Sequence, residues 1–129
     1  MPLHIALITA LTMLLLSVAM GLVGRARGRY KVAAPATSGH PDFERAFRAH
    51  QNTIEQTVMF LPVLWLAALY GNEQYAAWLG YAWLVGRVWY LFGYVRASGN
   101  RGPGFIIALL AWLALLLLAF AGIVPGLLA

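Results

Sequence analysis

Cysteine is absent from the 129 residues, and aspartate and glutamate together number only four. Without cysteine the chain forms no disulfide and offers no thiolate as a metal ligand or nucleophile. Charged residues make up only 10% of the sequence, whereas hydrophobic residues make up 62%. Such a composition leaves too few polar side chains to cover the surface of a soluble globule. The sequence therefore predicts a membrane protein with several spanning helices.

Metal-binding and phosphate-binding motifs are also missing. None of the three glutamates is followed by histidine at the third position, and no His-Glu-x-x-His sequence occurs. The glycine-rich segment 99–104 follows no predicted strand and does not match the glycine spacing of phosphate-binding loops. We therefore expect no metal site, and we predict a tight loop at 99–104.

Four largely apolar segments predict four helices in one domain that spans residues 1–129. Each is long enough to cross a hydrocarbon layer of about 30 Å at about 1.5 Å per residue. Pro41-Asp42 is a helix-start signal with Asp42 as the N-cap, and the first three turns of that long helix should stand outside the hydrocarbon. The expected fold class is all-α, an integral membrane left-handed four-helix bundle with a cytoplasmic loop at 26–41. The predicted helices are 2–25, 42–70, 75–97 and 104–124.

The basic residues predict the orientation in the membrane. Eight of the nine lie either between Arg25 and Arg48 or at Arg96 and Arg101, and none lies in the turn 71–74. Under the positive-inside rule both basic connections are cytoplasmic, and both termini face the other side. Because basic residues follow the first apolar segment instead of preceding it, we expect that segment to be retained and not cleaved as a signal peptide. The net charge of +5 is then explained by orientation, and no nucleic-acid partner is expected.

The second predicted helix carries a polar stripe at its cytoplasmic end. At 100° per residue, Glu44, Asn52 and Glu55 fall within about 40° of Arg48. His50 lies on the opposite side of the helix, about 200° from Arg48. Asn52 and Glu55 lie at or just inside the hydrocarbon boundary, where polar groups without partners are costly. The stripe therefore indicates a site and not only a solvated face.

The third predicted helix carries a second stripe at the same end of the bundle. Tyr90 and Tyr94 fall within about 60° of Arg87 on the helical wheel. Two structural alternatives remain open at this point: the tyrosines as ordinary interfacial aromatics, and Arg87 as a structural charge paired with Glu55. Taken together, the two stripes suit a small, mostly anionic ligand that has at least one cationic group.

Two segments and one arginine resemble the MAPEG superfamily, the membrane-associated proteins in eicosanoid and glutathione metabolism. The segments are residues 43–55, FERAFRAHQNTIE, and residues 86–96, GRVWYLFGYVR, and the arginine is Arg101. The resemblance spans the chain. It implies a homotrimer that binds glutathione as a co-substrate at each subunit interface, near the cytoplasmic membrane surface. The glutathione-binding positions that it implies are Arg48, Asn52, Glu55, Arg87, Tyr90 and Tyr94 of one protomer, with Arg27 and His50 from its neighbour.

The resemblance also implies a catalytic role for Arg101. It occupies the position at which the family's enzymes hold the arginine that stabilises the thiolate of glutathione, and Tyr94 could donate a second hydrogen bond. A free thiol with a pKa of ~8.5 is only slightly ionised at neutral pH, and the thiolate is the nucleophile. No side chain of this protein is expected to act as a covalent nucleophile.

The function expected from this resemblance is conjugation of glutathione to lipophilic electrophiles that reach the sulfur from the bilayer. Gly28 and Gln56 depart from the arginine and tyrosine usual in leukotriene-conjugating members, whereas His50 is usual in microsomal glutathione transferases. A detoxifying glutathione transferase is therefore expected, with glutathione-dependent peroxidase activity left open. The bias toward Ala, Leu, Gly and Arg suits a bacterial inner-membrane protein.

Two other classes of protein remain as alternatives. A non-catalytic scaffold that binds glutathione or lipid is compatible with the resemblance, because the family includes a lipid-presenting member without transferase activity. A small four-helix drug exporter is disfavoured, because such proteins place an essential carboxylate in the first helix and residues 1–24 contain none.

Overall fold

A computed structural model of the protein describes residues 1–96 and 101–129. Within these residues four helices follow one another, and a π-helical turn, Ala67–Gly71, continues the second of them. No strand occurs in these two described segments. The predicted all-α class with four helices is therefore confirmed. The helices are α1 (Leu3–Tyr30), α2 (Pro41–Leu66), α3 (Glu73–Val95) and α4 (Arg101–Leu128).

The first and last helices extend beyond the apolar segments that predict them. α1 runs on through the basic residues to Tyr30 and ends where Lys31 adopts a left-handed conformation with φ 56°. Hydropathy marks where a helix leaves the hydrocarbon, and arginine favours helix strongly, so the helix ends later than the apolar run. The predicted loop at 99–104 lies partly outside the described residues, and its second part, 101–104, opens α4.

Three segments are long and apolar enough to cross a membrane: Leu3–Tyr30, Pro41–Gly71 and Arg101–Leu128. These segments support the prediction of a membrane protein. α3, which the sequence predicts as a further span, is not among them. It carries several tyrosines and tryptophans and the charged Arg87, which lower its hydropathy although its length would suffice.

Stacked aromatic rings and close glycine contacts fix α3 against its neighbours. Phe60 of α2 and Trp83 of α3 are fully buried, and their ring centroids are 3.7 Å apart. Where α3 crosses α4, a Cβ added to Gly86 would lie 2.7 Å from the carbonyl oxygen of Gly104. Only glycine allows the two backbones to approach so closely. This crossing lies about one helical turn from both Tyr90 and Arg101, so it sets the spacing of the polar groups at that end of the bundle.

Candidate active site

The first half of α2, the end of α3 and the start of α4 surround a cavity of about 370 Å³, here called the tyrosine cavity. It brings together residues that lie far apart in the sequence, and these include five of the predicted site residues. A cavity of this volume is large enough for a small organic ligand. Its lining consists of Arg48, Asn52, Tyr90, Tyr94, Arg101, Gly102 and Phe105.

Arg101 stands at the mouth of the tyrosine cavity, at the first residue of α4. Its guanidinium carbon lies 4.4 Å from the ring centroid of Tyr94, which is a cation–π distance. The ion pairs in the described segments, His40–Asp42 and Arg45–Asp42, do not involve Arg101. The Tyr94 ring therefore positions the guanidinium while its N–H groups stay available for an anionic ligand.

Arg87 lies behind the tyrosine cavity and not in its lining. Its side chain is only 1% exposed, and its Nη2 donates to Asn52 Oδ1 at 2.8 Å and to Thr53 Oγ1 at 3.0 Å. Its guanidinium carbon also lies 4.2 Å from the ring centroid of Tyr90. The structural alternative that pairs Arg87 with Glu55 is wrong in this structure, because Asn52 and Thr53 take its hydrogen bonds and Glu55 is exposed.

The bond from Arg87 fixes the orientation of the Asn52 amide. A guanidinium has donors only, so the Asn52 atom that faces it must be the carbonyl oxygen. The amide NH₂ is then free of that bond and can donate to a ligand in the cavity that Asn52 lines. Because Arg87 holds the amide oxygen, Asn52 presents its NH₂ group to the cavity, and this hydrogen-bond donor suits an anionic ligand.

Sequence reasoning missed Gly102 and Phe105 in the lining, and it also missed Thr53 behind it. Its hydroxyl donates to the carbonyl oxygen of Ala49 at 2.7 Å and accepts from Arg87. A threonine hydroxyl bonded to the carbonyl four residues earlier is common in helices and gives no signal of a site. Only the packing of α3 against α2 reveals its second bond.

Besides Arg87, three predicted glutathione-binding residues lie outside the tyrosine cavity. Arg27 donates through Nη1 to the carbonyl oxygens of Val32 and Ala36, at 3.2 and 2.8 Å. His50 is half-buried on α2, and Glu55 is exposed on the same helix. The single chain therefore brings together Arg48, Asn52, Tyr90, Tyr94 and Arg101, but it does not bring Arg27, His50 or Glu55 to them.

The tyrosine cavity is electrostatically suited to an anion. Its lining combines two guanidiniums, two phenol hydroxyls and the amide of Asn52, and it contains no carboxylate. Guanidinium groups bind carboxylates through paired, charge-assisted hydrogen bonds. A phenol hydroxyl can donate one further hydrogen bond to a developing negative charge.

Comparison with known proteins decides the family. A sequence model described as the MAPEG family matches residues 5–121, which include nearly all of the helical bundle and every residue lining the tyrosine cavity. The chain belongs to the MAPEG family. The resemblance found in the two sequence segments is thereby confirmed.

Individual MAPEG relatives cover most of the chain. An uncharacterized protein of Synechocystis sp. is 47% identical over 118 residues, which are 92% of this chain and 86% of that protein. Microsomal glutathione S-transferase 2 of Homo sapiens is 44% identical over 101 residues, covering 78% of this chain and 69% of the relative. Leukotriene C4 synthase of Cavia porcellus is 39% identical over 114 residues, covering 88% and 76%. Glutathione-transferase-type function is thus represented among the MAPEG relatives of this chain.

Proposed function

We propose that this protein is a membrane-embedded glutathione transferase that conjugates the thiolate of glutathione to lipophilic electrophiles. The observation that carries the proposal is the convergence of Arg48, Asn52, Tyr90, Tyr94 and Arg101 on one cavity. Glutathione presents two carboxylates and a thiol, which match the guanidinium, amide and phenol donors of that lining. The similarity to a microsomal glutathione S-transferase supports the same substrate.

Arg101 is the group that we assign to the thiolate. A guanidinium near sulfur in a partly dry cavity favours the ionised form, and each unit of thiol pKa depression requires ~1.4 kcal/mol. The sulfur then attacks the electrophilic carbon with its lone pair, a sulfur–carbon bond forms, and the leaving group departs with its electron pair. Tyr94, whose ring packs against Arg101, supplies a second donor to the sulfur.

The residues outside the cavity support a site shared between protomers of a homotrimer. His50 lies on the opposite side of α2 from Arg48, and Arg27 lies on α1, away from the cavity lining. In a closed ring one helix can face a site on each side, so these two residues serve the neighbouring cavity. Glu55, exposed on α2, binds the α-amino group of glutathione.

Mixed trimers test the shared site. Chains with Arg27→Ala and chains with Arg101→Ala are each expected to be inactive alone. In an equal random mixture, each trimer that contains both variants has one site formed from two unsubstituted halves. Such sites make up about a quarter of all sites, so about a quarter of the wild-type activity should return. As the matched control, Asn52→Ala chains mixed with Arg101→Ala chains should give only the mean of the two parent activities, because both residues belong to the same half of the site. No recovery in the first mixture would contradict the shared site.

The basic connections support a placement of the site at the cytoplasmic face of the membrane. The tyrosine cavity lies at the end of the bundle that carries Arg25, Arg29 and Lys31, and the positive-inside rule assigns that end to the cytoplasm. Both chain termini then lie on the other side of what we take to be a bacterial inner membrane. Lipophilic electrophiles reach the sulfur laterally from the bilayer.

A conjugation assay with purified protein and a chlorodinitrobenzene-type electrophile tests the activity. Wild type should form the conjugate, and Arg101→Ala should lower kcat/KM by about a hundredfold to a thousandfold, as expected for loss of one stabilising donor. Lys31→Ala, which removes an exposed charge two residues from Arg29, is the control and should keep full activity. A lipid hydroperoxide offered in place of the electrophile tests whether the same thiolate also supports peroxidase chemistry.

Two outcomes would contradict this assignment. If Arg101→Ala retained full activity, the thiolate would be stabilised by another group. If wild type bound glutathione but conjugated none, the protein would be a binding scaffold, which is the alternative function within the family.

A further inference from the structure

A second cavity, of about 320 Å³, opens at the same end of the bundle as the tyrosine cavity. It lies between the end of α1, the start of α2 and the end of α3. Three arginines contribute to its lining: Arg25, Arg29 and Arg96. None of them lines the tyrosine cavity, so the proposed transferase function does not use them.

The three arginines of this arginine cavity converge from two helices. Arg25 and Arg29 are four residues apart on α1 and therefore lie on the same face. Arg96 caps the C-terminus of α3. All three side chains are exposed, so their guanidinium groups can reach a ligand from solvent or from the membrane surface.

The carboxylate in the lining of the arginine cavity is already engaged. Asp42 lines the cavity, but it pairs with Arg45 and accepts a hydrogen bond from the Tyr30 hydroxyl at 3.1 Å. Neither ion pair seen in residues 1–96 and 101–129 involves the three arginines. Clustered guanidiniums repel one another unless an anion lies between them. The cavity therefore carries an excess of positive charge that an anionic ligand would balance.

Apolar side chains adjoin the arginines on the side of the bundle interior. Leu22 precedes Arg25 by about one turn of α1, and Val95 directly precedes Arg96. Both line the cavity and are half-buried. Charged groups at the helix ends with apolar groups beside them, on the side of the bundle interior, match an amphiphile that has an anionic head and an acyl chain. A free anion would contact only the arginines and would leave the apolar side chains unused.

We infer that the arginine cavity binds the phosphate group of an anionic phospholipid in the leaflet at this end of the bundle. Guanidinium pairs suit phosphate oxygens through bidentate hydrogen bonds. Basic pockets between membrane helices are a recognised means of binding anionic headgroups. This lipid site is separate from the glutathione site and does not depend on transferase activity.

Binding of short-chain lipids to the delipidated full-length protein in a non-ionic detergent tests the inference. Dioctanoyl phosphatidylglycerol should bind about tenfold more tightly than dioctanoyl phosphatidylcholine, and more tightly than inorganic phosphate. Arg25→Gln and Arg96→Gln should each weaken phosphatidylglycerol binding about tenfold. The matched control, Lys31→Gln, removes the same charge just beyond α1 and should change binding by less than about twofold.

Three results would overturn the inference. Equal binding of the two lipids would remove the role of the anionic head. Tighter binding of inorganic phosphate than of phosphatidylglycerol would make the ligand a free anion. If Lys31→Gln lost as much affinity for phosphatidylglycerol as Arg25→Gln, the binding would depend on general surface charge and not on the arginine cavity. If Arg96→Gln failed to fold, Arg25→Gln at an exposed position of α1 would carry the same test.

Discussion

The tyrosine cavity and the arginine cavity lie at the same end of one small bundle, yet they are built differently. In the tyrosine cavity a buried arginine fixes an amide, and a tyrosine ring positions the arginine at the mouth. In the arginine cavity three exposed guanidiniums surround the space, and its carboxylate, Asp42, is paired with Arg45. The first arrangement fixes donors in place before a ligand arrives, as chemistry on one atom requires. The second provides charge without fixed geometry, which suffices for retention of a headgroup.

Apart from loss of Arg101 itself, the largest effect is expected where the backbones of α3 and α4 touch. A Cβ in Gly104→Ala would lie 2.6 Å from the carbonyl oxygen of Gly86 and 2.7 Å from the amide nitrogen of Tyr90. These backbone atoms cannot rotate away, so α4 must shift and carry Arg101 with it. We expect a loss of about a hundredfold in conjugation rate and a cost of about 1–3 kcal/mol in stability. Gly126→Ala, on the same helix but outside the tyrosine cavity, adds a Cβ that meets open space and is the control; equal activity of the two variants would contradict this role of the crossing.

A smaller effect is expected for Arg87→Met, which fills a similar volume without donors. Asn52 Oδ1 and Thr53 Oγ1 lose their donor, and the amide of Asn52 is free to turn. We expect a loss of about thirtyfold in kcat/KM and a lower melting temperature, since a buried acceptor without its partner costs about 1–3 kcal/mol. Arg87→Lys should recover part of the glutathione affinity. An effect confined to melting temperature, with unchanged kinetics, would mean that Arg87 serves only the fold.

Asn52→Asp tests the direction of the amide with almost no change of shape. The new carboxylate can still accept from Arg87, but it removes the NH₂ donor and adds a negative charge beside an anionic ligand. The KM for glutathione should rise about tenfold while the melting temperature holds. An unchanged KM would show that the amide does not face the ligand.

The smallest effect on conjugation is expected from the arginine cavity. Arg96→Gln should leave kcat/KM for glutathione within about twofold of wild type, as is usual for an exposed charge outside the site. A loss comparable to that of Asn52→Asp would mean that the two cavities are not independent.

Helical periodicity predicts much of the tyrosine cavity. Asn52 shares a face with Arg48 one turn away, and Tyr90 shares a face with Tyr94, so two stripes at one end of the bundle follow from the sequence alone. The structure brings both stripes to one cavity. The resemblance to a known family added Arg101, whose position cannot follow from periodicity because residues 97–100 intervene.

The depth and partners of Arg87 could not be predicted in the same way. The helical wheel places Arg87 on the stripe of Tyr90, but how far it lies from the cavity depends on how closely α3 packs against α2 and α4. The spacing between α3 and α4 comes from the contact between Gly86 and Gly104, which involves two helices and is not visible in either one. The ends of the helices are also difficult to predict. Hydropathy indicates which residues lie in the hydrocarbon, whereas backbone hydrogen bonds determine where a helix ends.

The ionisation of bound glutathione tests the central claim most directly. Ultraviolet difference absorbance measures the thiolate of glutathione bound to wild type and to Arg101→Gln at neutral pH. We predict more thiolate on wild type than in free glutathione at the same pH, and loss of most of that excess in Arg101→Gln while glutathione still binds. Unchanged thiolate absorbance in Arg101→Gln would contradict the assignment of Arg101.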